Sequence, residues 1–222
     1  MNLIKSTGTF SFFTIISRLL GYLRDILIAV FLGTSFLADV FFVAFRIPNT
    51  FRRLFSEGTF NAAFVPSYSS ELTKGRIRSY KFANEVFNLL ILSLLILVLL
   101  AQVFMPVLVS LIAPGFIENK EKISLAIELT RITFPFLLLI SLASFFSAIL
   151  NSHNRFAEAA AAPIILNIIL IVILFFSRLL DDKLIYYLSY GVTIAGLFQL
   201  LFLYFFVKKY FNFNFNFNFK ID

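Results

Sequence analysis

Apolar residues fall along the chain in long unbroken blocks, not in the spaced pattern of a helix with one wet face. Residues 86–117, 132–154, 159–177 and 184–207 carry no charged side chain. A membrane-spanning helix needs about 20 such residues, because the hydrocarbon core is about 30 Å thick and each residue advances about 1.5 Å. The first block is long enough to cross with tilt, with Pro106 as a kink and Pro114-Gly115 as its end. The block at 159–177 only just reaches the length. Hydropathy alone therefore predicts four spanning helices.

The first 66 residues follow a different pattern. Residues 9–32 look like a span but contain Arg18, Arg24 and Asp25, and residues 36–64 contain Asp39, Arg46, Arg52, Arg53 and Glu57. Two amphipathic helices lying on a membrane surface would account for this, as would two spans with charged faces. Read as spans, they bring the total to six: 10–32, 36–64, 82–112, 125–151, 160–177 and 184–207. Loop charge then separates by side. Lys5, Lys74, Arg76, Arg78, Lys81, Arg155, Lys208, Lys209 and Lys220 lie on one face, against Lys120, Lys122, Arg178 and Lys183 on the other. The excess of Lys and Arg marks the cytoplasmic side, so both termini are expected there. Residues 66–81 form the longest expected loop. Tyr186, Tyr187 and Tyr190 at one end of the last span, with Tyr204 and Tyr210 at the other, supply the interface anchors of a chain without Trp. Residues 1–209 are thus expected to form the transmembrane unit. Residues 210–222, with the alternating FNFNFNFNFK, form a low-complexity cytoplasmic tail. The apolar stretch after Lys5 has no small-residue cleavage site and is read as structure.

Composition agrees with the pattern. Of 222 residues, 60% are hydrophobic and 14% charged, with a mean hydropathy of +0.92; soluble chains carry about a quarter charged residues. The fold class is all-α and polytopic. Zero cysteines and one histidine, His153, remove disulfides and thiolate ligands and leave no His cluster, so no metal or cofactor is expected. The 66–81 loop holds Glu71 as its one acid and has no glycine pattern that cradles phosphate. A membrane enzyme acting on polyprenyl phosphates is therefore disfavoured, and a transporter is expected. Membrane lipid is an expected partner and nucleic acid is not.

The net charge of +7 has a second component inside the first two spans. At about 100° per residue, Thr14, Ser17, Arg18, Gly21, Arg24 and Asp25 share roughly one 120° face. In the second span Asp39, Arg46, Arg53 and Glu57 fall on one line, Asn49 beside it and Arg52 off it, interrupted by Pro48. These charges could be satisfied pairs, Arg24–Asp25 and Arg53–Glu57, at helix ends. The favoured reading is that they line a water-filled cavity, since a charge at helix centre costs on the order of 2.5–3.5 kcal/mol. Arginines outnumber acids on both stripes, which suits an anion. The planar guanidinium binds phosphate oxygens in pairs and keeps its proton. Phosphate is the expected ligand group. In the second half, Glu128–Arg131 reads as a surface pair, and His153 and Arg155 as loop residues. Asn151, Asn167 and Gln199 could be interhelical hydrogen-bond partners, with packing the favoured role for each, and Ala143, Ser144, Ser147 and Ala148 mark a close helix contact.

The strings SRLLGYLRD (17–25), ADVFFVAFRIPNTFRRLFSEGTFNAAFVP (38–66), APGF (113–116), ITFPFLLLISLASFFSAILNSHNRF (132–156) and AAPIILNI (161–168) resemble the MurJ (MviN) family. That family comprises bacterial lipid II flippases within the multidrug/oligosaccharidyl-lipid/polysaccharide exporter superfamily. The resemblance runs in order from about residue 1 to residue 209. It implies movement of lipid II, an undecaprenyl-diphosphate-linked disaccharide-pentapeptide, across the inner membrane by alternating access of two lobes. It also implies that Arg18, Arg24 and Arg52 bind the diphosphate, with Asp39 tuning or gating them. Arg53 matches the family string, and Arg46 stands where relatives often carry Lys. The family has about fourteen spans, so six correspond to an N-terminal lobe, and a second lobe is expected in a full-length parent. A dimer of this chain could instead supply two lobes. A flippase for another lipid-linked oligosaccharide, such as an O-antigen or exopolysaccharide unit, would present a similar cavity.

Overall fold

In hydrocarbon a backbone N–H or C=O has no water to turn to, so long apolar runs close their hydrogen bonds locally as helices. The computed structural model describes residues 3–52, 60–176 and 183–211. Within them the elements are α1 (Leu3–Leu32), α2 (Phe36–Arg52), α3 (Phe60–Lys74), α4 (Arg76–Val103), α5 (Met105–Ile112), α6 (Lys120–Thr133), α7 (Phe136–Ser152), α8 (Phe156–Phe175) and α9 (Leu184–Phe211), with a single 3-10 turn at Pro114–Phe116. Prolines set the interruptions. Pro106 stands at the start of α5, after a break at Phe104. Phe134 and Pro135 keep helical angles, so α6 and α7 continue one path through a proline kink. Asn119 caps α6 by accepting from the backbone N–H groups of Glu121 and Lys122 at 3.1 and 3.0 Å.

Two expectations are corrected. Residues 66–81 are not a loop: helix runs to Lys74, reverses at Gly75 and resumes at Arg76. Gly75 has φ +130°, a conformation closed to other residues, so a single glycine suffices for the turn. The second expected span, 36–64, is also too short. α2 lies along α6, with the Thr133 hydroxyl donating to Ala44 O at 2.7 Å and Phe51 packed edge-on against Phe134. α3 lies along α7, with Phe64 against Phe145 and Tyr68 against His153. Helices before and after residues 53–59 therefore follow the α6–α7 path in the same direction, down to Lys74.

Four helical runs are long and apolar enough to cross a membrane: Arg76–Val103, Lys120–Ser152, Phe156–Phe175 and Leu184–Phe211. They match the last four expected spans. α1 has the length, at 30 residues, but its polar stripe lowers its hydropathy. α9 shows how the apolar surface is divided. Leu188, Val192, Ala195, Gln199 and Leu203 are buried against α7 and α8, while Tyr187, Tyr190, Ile194, Phe198, Leu201 and Phe205 are exposed. Both faces are apolar, so the outer face suits lipid and not water.

Close approach depends on glycine at two places. A Cβ at Gly191 would sit 2.4 Å from Ile173 Cδ1, and one at Gly196 would sit 2.7 Å from Phe136 Cδ2 and 3.2 Å from Leu139 Cβ. At Gly21 the nearest atom would be Asn167 Nδ2 at 3.6 Å, an ordinary contact.

Where α9 ends, side chains from other helices take up its last carbonyl. Arg76 Nη2 and the Tyr80 hydroxyl donate to Phe211 O at 2.7 and 2.5 Å. The His153 ring stacks on Phe211 with centroids 4.1 Å apart, and its Nε2 lies 3.1 Å from the Tyr68 hydroxyl. Arg155 lies over the Tyr210 ring at 4.2 Å. His153 and Arg155 are therefore structural contacts of this end, not free loop residues.

Gly196→Ala should destabilise the purified protein by about 1–3 kcal/mol through overpacking, whereas Gly21→Ala should be neutral or stabilising, as Ala is the better helix former. Thermal unfolding in detergent measures both, and equal behaviour would remove the distinction. At His153, burial first and Arg76 second lower the ring pKa below its ordinary value. The folded state resists the proton that the unfolded chain takes up. The stabilisation is present above about pH 6.5 and is lost as pH falls through the lowered value. His153→Gln should flatten that acid-side decline in melting temperature.

Candidate functional site

α1 packs along α8 and touches α2 only sparingly. The contact with α8 centres on one side chain. Asn167 is 5% exposed, and its amide reaches across Gly21. Its Nδ2 donates to Ser17 O at 2.9 Å, and its Oδ1 accepts from Arg24 Nη1 at 2.8 Å. Arg24 is held on its other edge by Asp25, whose Oδ1 accepts from Nε at 3.0 Å and from Nη2 at 2.8 Å. Its Cζ lies 5.4 Å from the centre of the Phe45 ring on α2. The Arg24 side chain is 13% exposed and that of Asp25 57%. Three of the five guanidinium N–H groups are thus committed to named acceptors.

The polar face of α1 is therefore divided. Ser17, Gly21 and Arg24 turn toward α8, and Arg18 and Asp25 are exposed. Between α1 and α2 lies a groove of about 440 Å³ lined by Arg24, Asp25, Phe42, Val43, Phe45, Arg46 and Asn49. Asn49 Nδ2 donates to Phe45 O at 3.2 Å. Arg46 is exposed, and its guanidinium meets no partner among the described residues. The same is true of Arg18, which sits six positions before Arg24, about 9 Å along the helix axis at about 1.5 Å per residue. The groove thus carries one held guanidinium, Arg24, and one exposed guanidinium, Arg46, on facing walls, with the Asp25 carboxylate beside them.

Asp39 stands apart from the arginines. Its Oδ2 accepts from Lys122 Nζ at 2.6 Å, and Lys122 lies 4.4 Å from the centre of the Phe116 ring. The pair ties the start of α2 to the start of α6, seven positions and about 10 Å along α2 from Arg46. The Arg24–Asp25 pair forms; Arg53 and Glu57, and the Arg52 side chain, lie outside the described residues. Glu128 accepts from the Tyr186 hydroxyl at 3.0 Å, so its partner is α9 and not Arg131. Among the described residues no group of three or more His, Cys, Asp or Glu could hold a metal.

Asn167 takes the interhelical hydrogen-bonding role and not the packing role that the sequence favours for it. The signal for it was present: it is the single polar side chain between Ala159 and Phe176, and a lone amide in an apolar helix calls for an interhelical partner. Asn167→Leu should leave Arg24 short of an acceptor and lower stability by about 1–3 kcal/mol. An unchanged unfolding midpoint in detergent would show that the α1–α8 contact does not depend on it.

Similarity to known proteins points in one direction. The family model described as "Lipid II flippase MurJ" matches residues 28–221. A probable lipid II flippase MurJ of Rhizobium tropici is 43% identical over 213 residues, covering 94% of this chain and 40% of that protein. One from Buchnera aphidicola (subsp. Acyrthosiphon pisum) is 43% identical over 205 residues, covering 91% and 40%. Among solved structures, a lipid II flippase MurJ in an inward closed conformation superposes with a TM-score of 0.78 at 32% identity, covering 94% of this chain and 43% of its own. The chain spans about two fifths of the length of the curated relatives it matches.

Proposed function

The chain belongs to the lipid II flippase MurJ family, and from that premise we propose that it forms one wall of a pathway that carries lipid II between membrane leaflets. It is an all-α integral membrane protein with four helices able to span by length and composition. Its proposed role is transport and not chemical conversion. The observation that carries the reading is the groove between α1 and α2, positively charged inside an apolar bundle. A diphosphate carries its charge on oxygens that guanidinium forks match. Arg24, already oriented, and the free Arg18 and Arg46 supply such donors. Arg52 and Arg53 join them in this reading as further donors from the end of the α2 segment. Asp39 acts from a distance, through the ion pair that fastens α2 to α6.

Alternating access needs a second wall that closes and opens over the groove. Sparse contact between α1 and α2 supports a groove free to admit a headgroup. The proposed location is the bacterial inner membrane with both termini cytoplasmic. All described turns fit alternation: Gly33–Ser35 and Ala113–Asn119 lie toward one end, Gly75 and His153–Arg155 toward the other.

Alanine replacement of Arg18, Arg24 and Arg52 together in a full-length relative should abolish growth of cells depleted of their own flippase, with lipid II accumulating on the cytoplasmic side. Normal growth of the triple variant would overturn the reading. Loss of surface polysaccharide without lipid II accumulation would point to a different lipid-linked oligosaccharide.

A further inference from the structure

Between α3, α7, α8 and α9 lies a second pocket of about 170 Å³ whose lining carries no charged side chain. Its polar groups are uncommitted. Gln199 is 1% exposed, and its Nε2 reaches only the Ala195 carbonyl of its own helix at 3.3 Å. Asn61 Oδ1 is buried without a partner. The hydroxyls of Ser144 and Ser147, half-buried, meet no partner among the described residues. Pro163 has no N–H to give to the Ala159 carbonyl one turn earlier, and both line the pocket. Buried donors and acceptors are nearly always paired in folded proteins, so a cluster left open calls for something that pairs it.

We propose that this pocket receives the uncharged, hydroxyl- and amide-bearing sugar attached directly to the diphosphate, making Asn61, Ser144, Ser147 and Gln199 specificity-determining residues. The inference rests on the diphosphate reading of the arginine groove and extends it to the next group of the same substrate. Three features select a sugar. An anion would require positive charge and a cation would gain from a carboxylate, and the lining has neither. Carboxamides and hydroxyls each donate and accept, which is the pattern that sugar hydroxyls and an acetamido group return. Finally, Pro163 on the exposed rim and Asn167, which holds Arg24, are four residues apart on one face of α8, about 6 Å at about 1.5 Å per residue. Pro163 on the pocket lining thus stands one helical turn along α8 from the residue that holds the guanidinium.

The test is binding by the 222-residue chain in lipid nanodiscs to two probes, undecaprenyl diphosphate and undecaprenyl-diphospho-N-acetylglucosamine. The wild-type chain should bind the sugar-bearing lipid about tenfold more tightly, as one or two added hydrogen bonds provide. Gln199→Leu and, separately, Ser147→Ala should shrink that ratio toward one and leave undecaprenyl diphosphate binding unchanged. Ser147→Ala is the safeguard against misfolding of the Gln199 variant, and unfolding midpoints accompany both. Arg24→Ala should weaken binding of both probes. Equal wild-type affinity for the two lipids, or a ratio that survives both pocket variants, would make this a water-filled pocket only and overturn the proposal while the diphosphate reading stands. Failure of the wild-type chain to bind either lipid would overturn the diphosphate reading itself.

Discussion

A guanidinium held between apolar helices must have its hydrogen bonds made, and the arrangement around the groove follows from how Arg24 makes them. Its own neighbour Asp25 takes one edge, and Asn167 takes another from α8. The same amide closes a bond to the α1 backbone at Ser17. One polar side chain thus fastens a helix and orients a cation. Removing Asn167 would leave the mostly buried edge of the guanidinium without its acceptor, which is costly. α1 is therefore committed to α8, and its other side is left for α2 to approach or not.

That commitment shapes the groove. If α1 packed on α2 with a full apolar stripe, the Arg24–Phe45–Arg46 region would be filled by side chains. Instead α2 is drawn the other way, toward α6, by the Asp39–Lys122 pair near its start, the Thr133–Ala44 hydrogen bond in its middle and Phe51–Phe134 at its far end. α1 and α2 are each anchored to different neighbours, and the space between them remains open. Asp39, on this geometry, acts on the cavity as a strut that sets the path of α2.

How much of this was legible in the chain can be judged residue by residue. The four late spans were plain, because an uncharged apolar run of about 20 residues has few alternatives in or out of a membrane. The α3–α4 reversal was not. Polar residues such as Ser67, Ser69, Ser70 and Thr73 resemble a loop by composition, yet at the end of a bundle they need no apolar face all round and continue the helix to Gly75. The arginines on α1 were found by projection, but projection gives a direction from the axis and not the neighbour that fills it. It could not separate Arg24, turned to α8, from Arg18, left exposed. Asp39 shared a calculated line with Arg46, and its tertiary partner Lys122, 83 positions away, decided its role.

The contrast between held and free cations bears on how an anion would be taken up. Arg24 is fixed before any ligand arrives, so little side-chain freedom is lost there on binding, and two of its N–H groups remain to be used. Asp25, more than half exposed, holds the Nε edge that a phosphate would also suit, so an incoming anion either joins the remaining donors or displaces the carboxylate into water. Arg18 and Arg46 are long, exposed side chains that must be ordered to contribute. On the proposed reading, one preorganised guanidinium flanked by two adaptable ones holds an anion without enclosing it. That balance suits the proposed transport role, since a carrier gains nothing from a ligand held equally tightly in every state.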